Sequence, residues 1–269
     1  MTQMKSEKPD LESFNDFDIT DLRFEEVQFQ ENEIRREKSR KYGFLMKKPE
    51  EIELSEADKN EAIRRAINAR KTTAYFKKIY SQPEPEKRLS ARDYFDDFGK
   101  KYKISEQNEK IVKLLCYYFA CSKKFEELKF IKNPSLKKGI MLAGGCGCGK
   151  TTLMRFFQDN QIQRYVMRTA CDVSDQFAED GSGIIKEYNK YVYCFDDLGA
   201  EDVRKHFGDS ANVMAKILYN RYERGILTHV TTNLTANQIK SIYGERIASK
   251  SKGMFNIIEF PQDAKDLRV

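Results

Sequence analysis

Hydrophobic positions in this chain follow two spacings. Four short runs read as strands: Ile140 to Ala143, Tyr191 to Phe195, Leu227 to Leu234 and Phe255 to Phe260. Each is brief and apolar or β-branched. Other stretches carry apolar residues at helical spacing. Leu153, Met154, Phe156 and Phe157 predict a helix over Thr152 to Gln158. Ile111, Val112, Leu114, Leu115, Tyr118 and Phe119 form the core face of a helix that Ser105 caps. Ser55 with Asp58 resembles a capping box, and Ala62, Ile63, Ala66, Ile67, Ala74 and Phe76 continue an amphipathic helix to about Tyr80. Gln82-Pro83-Glu84-Pro85-Glu86 then breaks the pattern. Strand-helix alternation after that break predicts an α/β domain over residues 91–269, behind a linker at 83–90.

Composition separates the front of the chain from the rest. Residues 1 to 33 hold ten acidic side chains against three basic ones, interleaved with Phe14, Phe17, Ile19, Leu22, Phe24, Val27 and Phe29. From Arg35 to Lys48 the sign reverses. Such composition predicts a charged segment, residues 1–50, that is disordered alone, with an edge strand or a short helix as the other option. Residues 51–82 then present the amphipathic helix, whose apolar stripe is expected to serve as an intramolecular packing surface or a partner-binding one rather than a membrane anchor. The 269 residues allow one core and a smaller appendage, and no run approaches a membrane span or a secretory signal, so a cytoplasmic location is expected. Six cysteines lack paired spacing, and two histidines lack ligand partners at metal spacing, which argues against a zinc site or a disulfide framework. Lysines crowd residues 100 to 138, and the net charge is +6. This fits contact with single-stranded DNA without sequence specificity, with Tyr102 nearby for stacking; a solvated face is the bland alternative.

The strongest chemical signal follows the first strand. Gly144-Gly145-Cys146-Gly147-Cys148-Gly149-Lys150-Thr151 matches the phosphate-binding pattern G-x-x-x-x-G-K-[ST], and Thr152 completes the binding segment. Bare backbone at Gly144, Gly147 and Gly149 lets N–H groups converge on phosphate oxygens at a helix N-terminus. Lys150 is placed for the β- and γ-phosphates of ATP, and the Thr151 hydroxyl for Mg²⁺. Cys146 and Cys148 are either small residues tolerated there or thiols with lowered pKa. The strand Tyr191 to Phe195 ends in Asp196-Asp197, a Walker B pattern. Asp196 is expected to hold Mg²⁺ through water, and Asp197 to orient or deprotonate the attacking water; a helix cap or turn is the alternative. After the next strand, Asn233 is expected to read the γ-phosphate and the lytic water, unless it only prepares the helix that Thr235 would cap.

Five segments occur in order: Gly149-Lys150-Thr151-Thr152, Asp196-Asp197-Leu198-Gly199-Ala200-Glu201, Asn220-Arg221-Tyr222, Thr231-Thr232-Asn233-Leu234 and Tyr243-Gly244-Glu245-Arg246-Ile247. Together they resemble the replicative helicase loaders of the DnaC/DnaI type, a branch of the AAA+ ATPases that also includes IstB-type transposition ATPases. The resemblance spans roughly residues 90 to 269. It implies an AAA+ P-loop NTPase domain, a three-layer sandwich around a mostly parallel five-stranded sheet ordered 5-1-4-3-2, with little or no C-terminal lid. It further implies ATP hydrolysis, which the lysine at position 250 is expected to make slow, homo-oligomers joined through ATP-site interfaces, and nucleotide-controlled binding of a replicative helicase and single-stranded DNA. An accessory ATPase of a transposase or other mobile-element protein is the alternative, as is a regulatory switch with little hydrolysis. The family pattern carries a trans-acting arginine on the helix after the sensor strand. Arg246 matches the first arginine of that pattern, but Lys250 stands where a second is expected, and an ammonium lacks the planar fork of a guanidinium. Arg268 is the position the resemblance suggests for a sensor arginine.

Overall fold

The computed structural model describes residues 24–41, 48–81, 85–181, 183–201, 205–206, 209–210, 212–261 and 264–267. The chain divides into two compact units, Met1–Pro83 and Glu84–Val269. The acidic-apolar positions before Phe24, residues 42–47 with Lys47 of the basic run, and Arg268 lie outside the described residues.

In the first unit, helices α1 (Phe24–Lys41) and α2 (Glu56–Tyr80) pair. Ion pairs joining Glu26 to Arg70 at 3.8 Å and Lys38 to Asp58 at 2.5 Å, near opposite ends, make the pair antiparallel. Arg65, 7% exposed, lies between Glu61 at 2.8 Å and Glu37 at 3.3 Å. Residues 24–41 belong to the stretch whose composition suggests disorder. Their charges meet opposite charges within α1, as in Arg36 with Glu33 at 2.8 Å, and across to α2, a pairing that net composition does not register. α2 starts where its capping box places it: Ser55 N–H donates to Asp58 Oδ2 at 2.8 Å and Asp58 N–H to Ser55 Oγ at 3.3 Å. Ala62, Ala66 and Phe76 of its stripe are buried, with Tyr75 and Ile79.

The second unit opens with α3 (Ala91–Lys101) and α4 (Glu106–Phe119). Asn108 Oδ1 accepts the Ser105 N–H at 2.8 Å and closes the first turn of α4. Five strands follow: β1 (Gly139–Ala143), β2 (Val166–Thr169), β3 (Tyr193–Leu198), β4 (Thr228–Thr232) and β5 (Phe255–Glu259). Between them run α5 (Lys150–Phe157), α6 (Ala170–Asp180), α7 (Gly183–Glu187), α8 (Val213–Glu223) and α9 (Ala236–Met254). The two-residue strands Lys205–His206 and Asp209–Ser210 form a separate antiparallel pair, and these five form one all-parallel sheet in the order β2-β3-β4-β1-β5. Read from the other edge this is 5-1-4-3-2, the order that the resemblance implies.

The strand order fixes the layers. The connection from β1 to β2 runs one way across the sheet, and those from β2 onward run back. Right-handed crossovers therefore put α5 on one face and α6, α8 and α9 on the other. Ile140 and Leu142 of β1 pack with α3, α4 and α5 in one core, where Phe119 stacks on Phe157 with centroids 4.6 Å apart. His229 of β4 is fully buried; its Nδ1 accepts the Ile140 N–H at 3.0 Å, and burial, aided by the Arg221 charge, lowers its pKa to about 3. That histidine is a neutral part of the core. All six cysteines are free thiols, and among the described residues no helix is long and apolar enough to cross a membrane.

Candidate functional site

Because the crossovers reverse at β1, the loops after β1 and β4 leave neighbouring strand ends toward opposite faces. The crevice between them is the switch point where open α/β sheets bind ligands. The loop after β1 wraps this crevice and enters α5, whose N-cap Gly149 has φ 99°. Gly147 has φ 75°, and a Cβ on Gly144 would come within 2.7 Å of Phe260, so these three glycines answer to backbone conformation or close packing. Cys148 is fully buried and its Sγ donates to the Gly145 carbonyl at 3.1 Å, tying the loop to itself, while Cys146 is exposed.

Lys150 is the centre of the arrangement. Only 4% exposed, its Nζ donates to the carbonyls of Gly144 (2.9 Å) and Gly145 (2.7 Å) and to Asn233 Oδ1 (2.5 Å). Asn233 is available for this because α9 takes its cap from Thr235, whose Oγ1 accepts the Gln238 N–H at 3.3 Å. At the next residue, Thr151 Oγ1 donates to Asp196 Oδ1 at 3.0 Å. Asp196 is 5% exposed and also accepts the Thr231 hydroxyl, at 2.6 Å. Thr231 Oγ1 in turn accepts the Asp197 N–H at 2.9 Å. The register between β3 and β4 breaks between Phe195 and Leu198, and Asp197 has φ 53° there. This irregularity turns Asp196 inward to Thr151 while Asp197 lines the open crevice.

The crevice opens into a cavity of about 830 Å³ that reaches from Lys150, Thr151 and Thr152 to Phe98, Tyr102 and Asn108. Tyr102, read from the sequence as a stacking residue for nucleic acid, stands in this wall with its ring 5.1 Å from that of Phe98. The donors near Asp196 suit a hard cation: one carboxylate and one hydroxyl meet 3.0 Å apart, and Mg²⁺ takes few protein ligands beside water and phosphate oxygens. Among the described residues no group of three or more His, Cys, Asp or Glu would hold a metal without such help.

Lys150, Thr151, Asp196, Asp197 and Asn233 therefore share one crevice. Arg246 and Lys250 do not line it. Arg246 lies over the Tyr219 ring, 5.2 Å from its centroid, and Lys250 pairs with Glu223 at 2.6 Å and covers Tyr222 at 3.9 Å. Two further contributors escaped the sequence reading. Thr231 bridges the two aspartates; it opens the Thr-Thr-Asn-Leu segment, but nothing in that segment gives it a role apart from its neighbours. Glu201 accepts the Gly199 N–H at 2.7 Å and the Tyr243 hydroxyl, which joins the loop after β3 to the helix that carries Arg246. Glu201 closes the Asp-Asp-Leu-Gly-Ala-Glu segment, the one signal that pointed to it.

No family model matches the chain. An uncharacterized protein of Schizosaccharomyces pombe is 31% identical over 121 residues, which cover 37% of this chain and 25% of the yeast protein. Among solved structures, DnaI is 20% identical over 68% of this chain and 94% of its own, with a TM-score of 0.45. The DnaC helicase loader is 19% identical over 60% and 94%, at 0.42. AMPPCP-bound DnaA from Aquifex aeolicus is 16% identical over 68% and 52%, at 0.43. A parallel sheet ordered 5-1-4-3-2, a phosphate loop after its first strand and an aspartate pair on its third give residues 84–269 a P-loop NTPase fold, with the strand order that the AAA+ resemblance implies.

Proposed function

We propose that the chain binds ATP with Mg²⁺ in the crevice between β1 and β4, hydrolyses it slowly, and uses nucleotide state to hold or release a replicative helicase and single-stranded DNA. The observation that carries this reading is the mutual contact of Lys150, Thr151, Asp196 and Asn233, which come from the ends of three different strands. Folding alone gains little from gathering an ammonium, an amide, a hydroxyl and a carboxylate at one open edge, whereas phosphoryl transfer uses each of them.

Lys150 exchanges the Gly144 and Gly145 carbonyls for phosphate oxygens, a change of acceptor that needs only rotation of its flexible stem. Asp196 and Thr151 would hold Mg²⁺, which would supply positive charge beside the phosphoryl oxygens. Asp197 faces the cavity and takes or orients the proton of the attacking water, and Asn233 reports the γ-phosphate to α9 through its own strand end. Phe98 and Tyr102 form an apolar wall for the base. Arg246 stands outside its own crevice, which supports its acting on a neighbouring copy. The partner assignment rests on the order of the five sequence segments, and the exposed lysines between residues 100 and 138 support contact with a nucleic-acid backbone. One observation favours a switch with little turnover: Lys250 is engaged with Glu223 and two tyrosine rings, and an ammonium there would not replace a guanidinium.

Affinity capture with the full chain in ATP, with Lys150→Ala as control and bound proteins identified by mass spectrometry, tests the reading. Recovery of a replicative helicase by the parent alone supports it. Recovery of a transposase or another mobile-element protein supports the accessory-ATPase alternative, and nucleic acid without protein points to a DNA-binding switch. Hydrolysis is tested separately with Asp197→Asn; turnover equal to the parent's would reduce the chain to a binding module.

A further inference from the structure

The C-terminal residues lie across the phosphate loop. Gln107 of α4 grips the Lys265 backbone twice, its Oε1 accepting the Lys265 N–H at 2.9 Å and its Nε2 donating to the Lys265 carbonyl at 3.1 Å. Two residues on, the Leu267 N–H donates to the Gly147 carbonyl at 3.0 Å. Between these anchors Asp266 is pressed onto the loop: a Cβ built on Gly147 would lie 1.9 Å from Asp266 Oδ1 and 2.3 Å from Oδ2. Leu267 covers the next glycine, with its Cδ1 3.5 Å from the corresponding position on Gly149. Lys265, Asp266 and Leu267 all line the cavity that holds Lys150 and Asn233.

A carboxylate thus rests against the part of the loop whose N–H groups and helix N-terminus favour an anion. We propose that Asp266 is a built-in competitor of the nucleotide: its carboxylate shares the phosphate-binding surface with the incoming phosphates, so the segment 265–267 must release Gly147 before the nucleotide seats fully, and Asp266 sets the affinity. The proposal rests on the nucleotide reading above. Two features make it specific. The segment is held by hydrogen bonds to its backbone at both ends, at Lys265 and at Leu267, which keeps Asp266 on the loop. The contact also falls on Gly147, where φ is 75° and the absence of a Cβ is what admits the carboxylate.

The experiment measures binding of a non-hydrolysable ATP analogue and of inorganic pyrophosphate to the full-length parent and to Asp266→Asn, Asp266→Ala, Gln107→Ala and Lys150→Ala. Asp266→Asn keeps the shape and removes the charge, and it is expected to tighten both ligands by about tenfold, with a smaller gain as salt is raised. Gln107→Ala, which loosens the anchor without touching charge in the crevice, is expected to tighten them about threefold. Unchanged or weaker binding in both Asp266 variants, while the parent binds and Lys150→Ala does not, overturns the competitor and leaves the nucleotide reading standing. Absence of binding in the parent and in every variant overturns both.

Discussion

The crevice around Lys150 and the outer face around Lys250 treat the same kind of charge in opposite ways. In the crevice, an ammonium 4% exposed is held by two loop carbonyls and an amide, and the neighbouring aspartate by two hydroxyls. On the face formed by α8 and α9, Arg246 and Lys250 lie over the rings of Tyr219 and Tyr222, with Glu223 49% exposed beside them. The first region is completed within one chain. The second presents cations on an aromatic platform at the outer face of α8 and α9, where the proposed function has them act on a neighbouring copy.

The largest effect that distinguishes the two is expected from Lys150→Ala. It removes the only ammonium among the described residues that is bonded to both the loop and Asn233, and nucleotide affinity should fall about a hundredfold or more, since the group contributes a full charge in a site of low exposure. Titration with a fluorescent ATP analogue measures this, and an affinity within twofold of the parent would remove the crevice from the mechanism. Truncating the outer cations should do the reverse. Arg246→Ala is expected to leave affinity nearly unchanged while lowering turnover by roughly ten- to a thousandfold, with the loss evident only at protein concentrations where the parent's specific activity rises. Lys250→Arg, which restores a guanidinium, should raise turnover several-fold. If either substitution alters turnover equally in dilute protein, the groups act in their own chain and the comparison fails.

The two regions were also unequally legible. The crevice could be read because phosphate chemistry constrains residue types at fixed offsets along one loop, and because the apolar runs on either side specify strand and helix. The strand order followed from the resemblance rather than from periodicity, which cannot tell β5 that it will lie beside β1. Thr231 was quoted in a segment without a role for a similar reason: its hydroxyl matters only once β3 and β4 are neighbours and the register breaks at Asp196. Arg221 is a clearer case. It stood within a quoted motif, yet its fully buried guanidinium is taken up by Thr228 Oγ1 and by the carbonyls of Tyr188, Tyr191 and Leu227, and ties α8 to the strand ends at the bottom of the sheet. Spacing could not distinguish that arginine from the exposed Arg246. The helix α1 was hidden by composition, since a count of charges does not show which ones face each other.

The smallest expected effect concerns the link between the regions. Tyr243 donates its hydroxyl to Glu201, whose other oxygen holds the Gly199 N–H in the loop after Asp196 and Asp197. Burial first, and then the Glu201 charge, push the Tyr243 pKa well above its ordinary value, so the hydroxyl stays a donor throughout the pH range in which the protein is handled. Gly244 follows immediately with φ 85° and ψ 162°, breaking α9 into a part fixed to Glu201 and a part that carries Arg246 and Lys250. Tyr243→Phe keeps the packing and removes one hydrogen bond, at a cost of about 1 kcal/mol in stability. If the bond only supports the fold, turnover per folded molecule should be unchanged. If it couples the aspartate loop to the outer cations, turnover should fall a few-fold with ATP affinity intact, and adding Arg246→Ala should then cost less than it does in the parent. A double-mutant cycle in turnover decides between these, and strict additivity would mean that the crevice and the outer face are joined by nothing more than the sheet between them.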